Sequence, residues 1–304
     1  MGAPITSTSF AKALYPGVNS WYGKEYNEYS TEWDKLFVTT SSNRAYEEDV
    51  GITSFGLAQR KPEGQSIAFD SESQAFITRY AHVVYGLGFV VTREIFEDDL
   101  YDVVAQRRAR GLAYSMRQTK EVVGANVYNR GFDGAYAGGD GVEMISAAHP
   151  NFAGGTQSNI QATPAALSEA SIEDACIQIS KWENDRGLRI SVMPETLIIP
   201  VELMFDAERI IYSPYQTDSD TNNISAIYRM GKFKNGVVVN HYLTDPTAYF
   251  MRTGVKDSVK HFERRGMEFA IDNDFDTENA KFKATERYSF GWTDWRGIWG
   301  APGA

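Results

Sequence analysis

Between positions 93 and 130 the chain reads REIFEDDLYDVVAQRRARGLAYSMRQTKEVVGANVYNR. Its apolar residues Phe96, Leu100, Val103, Ala109, Leu112, Met116, Val123 and Val127 are mostly spaced by three, four or seven, which places them on one stripe of a helix. At 1.5 Å per residue that helix runs about 55 Å, several times the average. Gly111 and Gly124 weaken it without ending it, and each serves either as a point of give or as a place for close packing.

Upstream, residues 52–92 break into short β-favouring runs at 66–69, 75–85 and 87–92, separated by Pro62, Gly64 and the polar turn Asp70-Ser71-Glu72-Ser73. This predicts a long β-hairpin reaching out from the body. The first 50 residues are rich in Ser, Thr, Tyr and Asn and carry only a short helical pattern near Phe10 to Leu14, so they read as an extended arm that gains order by lying on something else.

Downstream, Gly131, Gly134, Gly138, Gly139 and Gly141 end the helix and open a loop-rich stretch through Ala148-His149-Pro150 to Gly154-Gly155-Thr156. A mixed α and β unit follows. Ser168 caps a helix whose inward residues are Ile172, Ala175, Cys176 and Ile179, with Gly187 past its end. Strands are predicted at 196–199, 237–241 and 248–252, and a helix starts at Pro200, runs to Tyr212 and stops at Pro214. The last residues return to strands at 267–271 and 281–290, with Tyr288, Phe290 and Trp292 alternating to one side. They end in Trp292, Trp295 and Trp299, which should be buried against the body or a neighbour. There is no internal repeat and no low-complexity run.

The 304 residues are 42% hydrophobic and 23% charged, the profile of a chain that folds. An aromatic share of 13% favours extensive subunit contacts. A net charge of -10 argues against general nucleic-acid binding, so any nearby DNA should be held weakly. Lone Cys176 excludes an internal disulfide framework, and with no leader pattern the expected site of synthesis is a reducing cytoplasm. The longest apolar runs, near 81–91 and 197–205, fall short of the roughly 20 residues of a membrane helix.

No constellation carries chemistry. His82, His149, His241 and His261 lack the spacing that puts two metal ligands on one helix face. Asp272, Asp274 and Asp276 imitate a calcium loop, but Thr277 and Lys283 stand where Gly and Glu are needed, so an acidic turn between strands is the better reading. The run from Asp218 to Asn223 is a polar surface loop. Phosphate-cradling and nucleophile-elbow motifs are absent, and Cys176 reads as a buried, inert thiol on its helix's apolar stripe. No catalytic, cofactor-binding or metal residue is assigned, and no cofactor is expected.

The run from Lys283 through Thr285-Glu286-Arg287-Tyr288-Ser289-Phe290-Gly291-Trp292-Thr293-Asp294-Trp295-Arg296 to Gly297 resembles the closing segment of Mu-like phage major head subunits. Three upstream stretches are similar to the same group and keep its order: 148–150 with 154–159, 200–203 with 206–209, and 240–245. The N-terminal third resembles it in layout only. The resemblance implies an α+β chain with the tailed-phage major capsid fold of the Hong Kong phage type. Its parts would be an N-terminal arm (1–50), an extended hairpin loop (51–92), a peripheral domain with a long spine helix (93–150), an axial domain (151–254), and return strands with a C-terminal tail (255–304).

It further implies a non-enzymatic subunit of an icosahedral phage head, built from many copies as hexamers and pentamers around double-stranded DNA and expanding from a procapsid in which spine helix, arm and hairpin move. Partners would be a separate scaffolding protein, a portal and decoration proteins, with DNA enclosed but weakly bound and no membrane. The chain would be made in the host bacterial cytoplasm. An inward-facing acidic surplus would keep packaged DNA from adhering to the wall. Some relatives cross-link a hairpin lysine; Lys61 here reads as an ordinary exposed lysine. The alternatives are a nanocompartment shell of the same fold, and a soluble enzyme using a carboxylate pair in a deep pocket.

Overall fold

A computed structural model describes residues 22–24, 26, 30–92, 94, 101–151, 154–216, 223–273 and 279–304. The helix read near Phe10 to Leu14, the first turns of the long helix, the polar loop after Asp218 and the acidic turn after Asp274 lie outside these residues.

The long helix is α2 (Tyr101–Asn129), 29 residues, about 44 Å. Ala109, Leu112, Ala113, Met116, Lys120, Gly124, Ala125 and Tyr128 are buried along it; Ala109, Leu112 and Met116 fit the predicted stripe, whereas Val123 and Val127 are only partly buried and the buried face turns to Lys120, Gly124 and Tyr128 instead. The stripe lies on a four-stranded sheet ordered β1 (Val38–Ser41), β10 (Val259–Asn273), β11 (Ala280–Trp292), β4 (Val83–Val91). β1 runs parallel to β10, and the other pairs are antiparallel. Register shifts at 263–268 break β10 into two ladder segments.

Only Gly124 of the two helix glycines is explained by packing. A Cβ there would stand 3.2 Å from Trp33 Cβ and 3.4 Å from the Phe290 ring, whereas none of the described residues comes within 4 Å of one at Gly111. Gly124 lets the short helix α1 (Trp33–Leu36) approach the spine. Glu121 completes that joint: its two carboxylate oxygens accept the Glu32 and Trp33 amides at 3.0 and 2.9 Å, capping α1 from another helix.

A second sheet, β12 (Ile298–Ala301), β9 (Tyr249–Thr253), β7 (Pro194–Ile199), β8 (Val237–Val239), carries α3 (Glu169–Ser180), α4 (Met204–Tyr212) and α5 (Ala226–Met230). α3 begins where its residues predict. The Ser168 side chain accepts the Ser171 amide, the Ser171 side chain returns the bond, and Ile172, Ala175, Cys176 and Ile179 all point inward. Pro200 precedes a 3-10 turn (Val201–Leu203) that leads into α4. The main core runs from Leu36, Phe37 and Tyr128 through α3, β7 and β9 to Trp292, Trp295 and Trp299, so the tryptophan tail closes on its own body.

Several expectations are corrected. Residues 66–69 form no strand. The hairpin pairs β2 (Tyr46–Ile52) with β3 (Gln74–Ala81), so it begins inside the stretch read as arm, and 83–91 belongs to the body sheet instead. The run read as one strand from 75 to 85 is split at His82, whose ring is bound by Ser289 Oγ (2.9 Å) and Ser42 Oγ (3.1 Å). Residues 33–41 are built into the body through Trp33, Leu36, Phe37 and β1. Their Ser- and Thr-rich setting hides this, because the anchors Trp33 and Phe37 pack on rings far along the chain, those of Tyr128, His261 and Phe290.

Candidate assembly surfaces

Among the described residues, apolar side chains stand in water on β4, at Val83, Val84, Leu87 and Val90, and at two further surfaces. The first is the hairpin tip. Every residue from 54 to 74 is exposed, among them Phe55, Leu57, Ile67 and Phe69, the last at 95%. The second lies on α4, α5 and their connection, where Phe205 (66%), Tyr215, Ile224, Tyr228 and Met230 (64%) stand out. Isolated exposed apolar residues are ordinary, whereas grouped ones mark interaction sites.

The hairpin's direction is fixed at its root. Tyr80 Oη and Thr293 Oγ1 are 2.5 Å apart, the Thr293 hydroxyl reaches Asp49 Oδ2 at 2.8 Å, and Lys260 Nζ meets the same carboxylate oxygen at 2.6 Å. Gly139 packs so closely on β3 that an added Cβ would sit 2.5 Å from the Ile77 carbonyl oxygen. Where the ladder ends, the Thr53 amide donates to the Ser73 carbonyl and the Ser73 amide to Thr53 Oγ1.

Two of the stretches that carried the resemblance, 148–159 and the closing run, converge on one buried hub. Asn159, fully buried, donates through Nδ2 to the carbonyls of Met144, Trp295 and Ile298, and its Oδ1 accepts the Ser146 amide. The same oxygen lies 3.1 Å from His149 Nε2, while His149 Nδ1 is 2.6 Å from Asp140 Oδ2 and the ring stacks on Trp295 at 4.9 Å. Arg296 adds bonds to the Glu183 carbonyl, Asp185 and Asn151. His149 therefore ties the glycine loop to the C-terminal tail. Of the remaining motif, Asn129 Nδ2 donates to the Tyr242 carbonyl, its Oδ1 accepts the Thr244 amide, and Glu32 takes the His241 amide and ring.

A third polar group lies under the spine helix. Lys120 Nζ is 3.7 Å from Glu286 Oε2, both nearly sealed from solvent, with the ammonium over the rings of Trp33 and Tyr288. Burial pushes the Glu286 and Glu121 carboxyls up, against Lys120 in the first case and the Glu32 and Trp33 amides in the second. His261 beside them is held down to about 3, mainly by burial and then by Lys120. Sequence spacing missed this cluster because Lys and Glu at helix positions 120 and 121 read as solvent-facing.

The geometry offers little for catalysis. One cavity of about 300 Å³, between α2, β4 and β11, has no carboxylate in its lining; another of about 360 Å³, beside α3 and α5, has only Glu173. Burial pushes the Cys176 thiol up to about 11, so at neutral pH it is protonated and unreactive. Among the described residues no three of His, Cys, Asp and Glu gather as a metal site, and no helix is long and apolar enough to cross a membrane.

Comparison with known proteins agrees with this architecture. A family model described as phage capsid protein matches residues 76–301. No curated protein matches the sequence. Among solved structures the chain is similar to a virus-like particle from Pyrococcus furiosus, at 9% identity and TM-score 0.53, covering 95% of this chain and 99% of that one. It is also similar to a Mycobacterium phage Che8 chain, at 13% and 0.53 over 91% and 94%. A chain of the bacteriophage JBD30 procapsid aligns at 13% and 0.50 over 96% and 75%. At such identities the likeness speaks for the fold, the α+β capsid fold of the Hong Kong phage type. With the family model matching residues 76–301, the chain belongs to the phage capsid protein family, and it is a structural shell subunit and not an enzyme.

Proposed function

We propose that many copies of this chain close into hexamers and pentamers of a tailed-phage head of the Mu-like group, and that the shell expands from a procapsid. The observation that carries the reading is the pairing of the family match over 76–301 with a hairpin tip exposed from residue 54 to 74. A tip bearing Phe69 at 95% exposure gains most from burial against another copy, at roughly 25 cal/mol per Å² of apolar area. The Mu-like assignment is supported by the joint role of Asn159, His149 and Arg296, which makes two of its motif stretches, 148–159 and the closing run, parts of one hub.

In this reading the arm of residues 1–50 gives way to the body at 33–41, the extended loop placed at 51–92 is the hairpin of β2 and β3 and so spans 46–81 with 83–91 left to the body sheet, 93–150 is the peripheral domain, 151–254 the axial domain, and 255–304 the return strands and tail. A separate scaffolding protein, a portal and decoration proteins are the expected partners. DNA is enclosed but weakly held by a subunit of net charge -10, and the subunit is made in the host bacterial cytoplasm before entering the virion.

The likeness to the Pyrococcus furiosus particle favours a second reading, a nanocompartment shell of the same fold. Negative-stain microscopy of the expressed chain, with and without a scaffold, tests the first. Closed shells tens of nanometres across are expected, and nucleic acid inside native particles separates a phage head from a compartment. Small soluble species under all conditions would refute both.

A further inference from the structure

The hairpin tip is held at a second place, by a residue that the family match does not single out. Arg186 sits at the head of a tight turn between Glu183 and Arg189. Its Nε donates to the Ser54 carbonyl at 3.1 Å and its Nη2 to the Ser71 carbonyl at 2.6 Å, with Asp70 Oδ1 at 3.6 Å. One guanidinium thus bridges both sides of the hairpin just beyond the last ladder bond. Its planar fork fixes the directions of the two bonds to these carbonyls, whereas the rotatable donors of an ammonium impose no such geometry.

The mount is rigid. Asn184 Oδ1 accepts the amides of Arg186 and Leu188 at 2.9 Å each, the Asn184 amide donates to the Leu188 carbonyl, and Gly187 takes the left-handed conformation at φ 76°. Asp185 next to it is gripped by Arg296 Nη2 at 2.9 Å. On the hairpin side, Asp70 Oδ2 accepts the Gly56 amide at 2.8 Å, so the clasp and the start of the tip are joined through one carboxylate. Gly56 and Ser71 amides hold that carboxyl below its usual range, with Arg186 adding to them, so it stays charged in this arrangement.

We propose that Arg186 is a positioning residue for assembly: it clasps the hairpin to the turn at 183–189, so that the free subunit presents Phe55, Leu57, Ile67 and Phe69 in one fixed direction. The inference rests on the reading that the tip meets another copy. The clasp orders the tip before contact, so less conformational entropy is lost when shells form.

The test uses the intact chain with Arg186→Ala and Arg186→Lys. Hydrogen exchange read at the Gly56 and Ser71 amides should quicken about tenfold in both variants, while amides of α3 and β7 keep their wild-type rates. Shell yield should fall in both. Wild-type exchange in Arg186→Ala overturns the clasp, and full protection in Arg186→Lys overturns the fork in favour of simple charge. Faster exchange with undiminished shell yield overturns the assembly role. If the wild-type chain itself forms no shells, the proposed function fails, and the exchange data still decide the clasp.

Discussion

Replacing His261 by Phe should make the chain markedly less sensitive to acid. The imidazole is fully buried on β10 among the rings of Trp33 (4.4 Å), Phe290 (4.5 Å) and Tyr288 (5.9 Å). Its Nδ1 is 3.4 Å from Thr39 Oγ1, and its Nε2 has no partner among the described residues. Folding lowers its pKa from 6.5 to about 3, so in acid the unfolded chain takes up a proton that the folded chain refuses. Stability from this group is therefore complete above 6.5 and is lost as pH falls toward 3, by about 1.4 kcal/mol per unit. From about pH 7 to about pH 5 the loss is roughly 2 kcal/mol. Glu286 and Glu121, with raised values, act the other way, since the folded chain binds their protons first. They are present in both proteins, so the difference between wild type and His261→Phe isolates the histidine. Urea unfolding of the unassembled chain at the two pH values should show the wild type losing about 2 kcal/mol more than the variant. Parallel pH profiles would refute the reasoning.

The two helix glycines should respond oppositely. Gly111→Ala meets open space and should stabilise the chain by about 0.5–1 kcal/mol, whereas Gly124→Ala pushes Trp33 off the spine and should lower stability in the same urea assay. Asn159→Leu strands buried carbonyls and the Ser146 amide, so a loss of about 3–5 kcal/mol, seen as a lower urea midpoint or insoluble expression, is expected. Phe69→Ser should leave the isolated chain within about 0.5 kcal/mol of wild type and still depress shell yield by microscopy, because Phe69 is 95% exposed in the subunit.

Local signals were the legible ones. The Ser168 cap, the Pro200 start, the inward set of α3 and the burial of three tryptophans depend on residues a few positions apart, where capping chemistry and periodicity act. What escaped depends on distance. Asn159 is recognisable as a hub only with Trp295, 136 positions on, beside it. Glu121 looks like a solvent-facing helix residue until Trp33, 88 positions back, needs its amide capped. The strand expected at 66–69 fails for a related reason: Ile67 and Phe69 have β-favouring side chains but no neighbouring strand within the subunit to pair with. Residues that fit the core pattern in sequence therefore stand in water here.

The parallel pairing of β1 with β10 has a temporal consequence. Thr39 meets His261 across 222 positions, so the sheet's first strand emerges from the ribosome long before its partner exists. At roughly 5–20 residues per second, on the order of ten to forty seconds separate the two. Until then Trp33, Leu36 and Phe37 have no completed core to enter, and the spine cannot seat α1 over Gly124. The subunit becomes native only near the end of its synthesis, when the return strands arrive. A nascent chain in this state also lacks Thr293 and Lys260, the residues that hold the root of the hairpin.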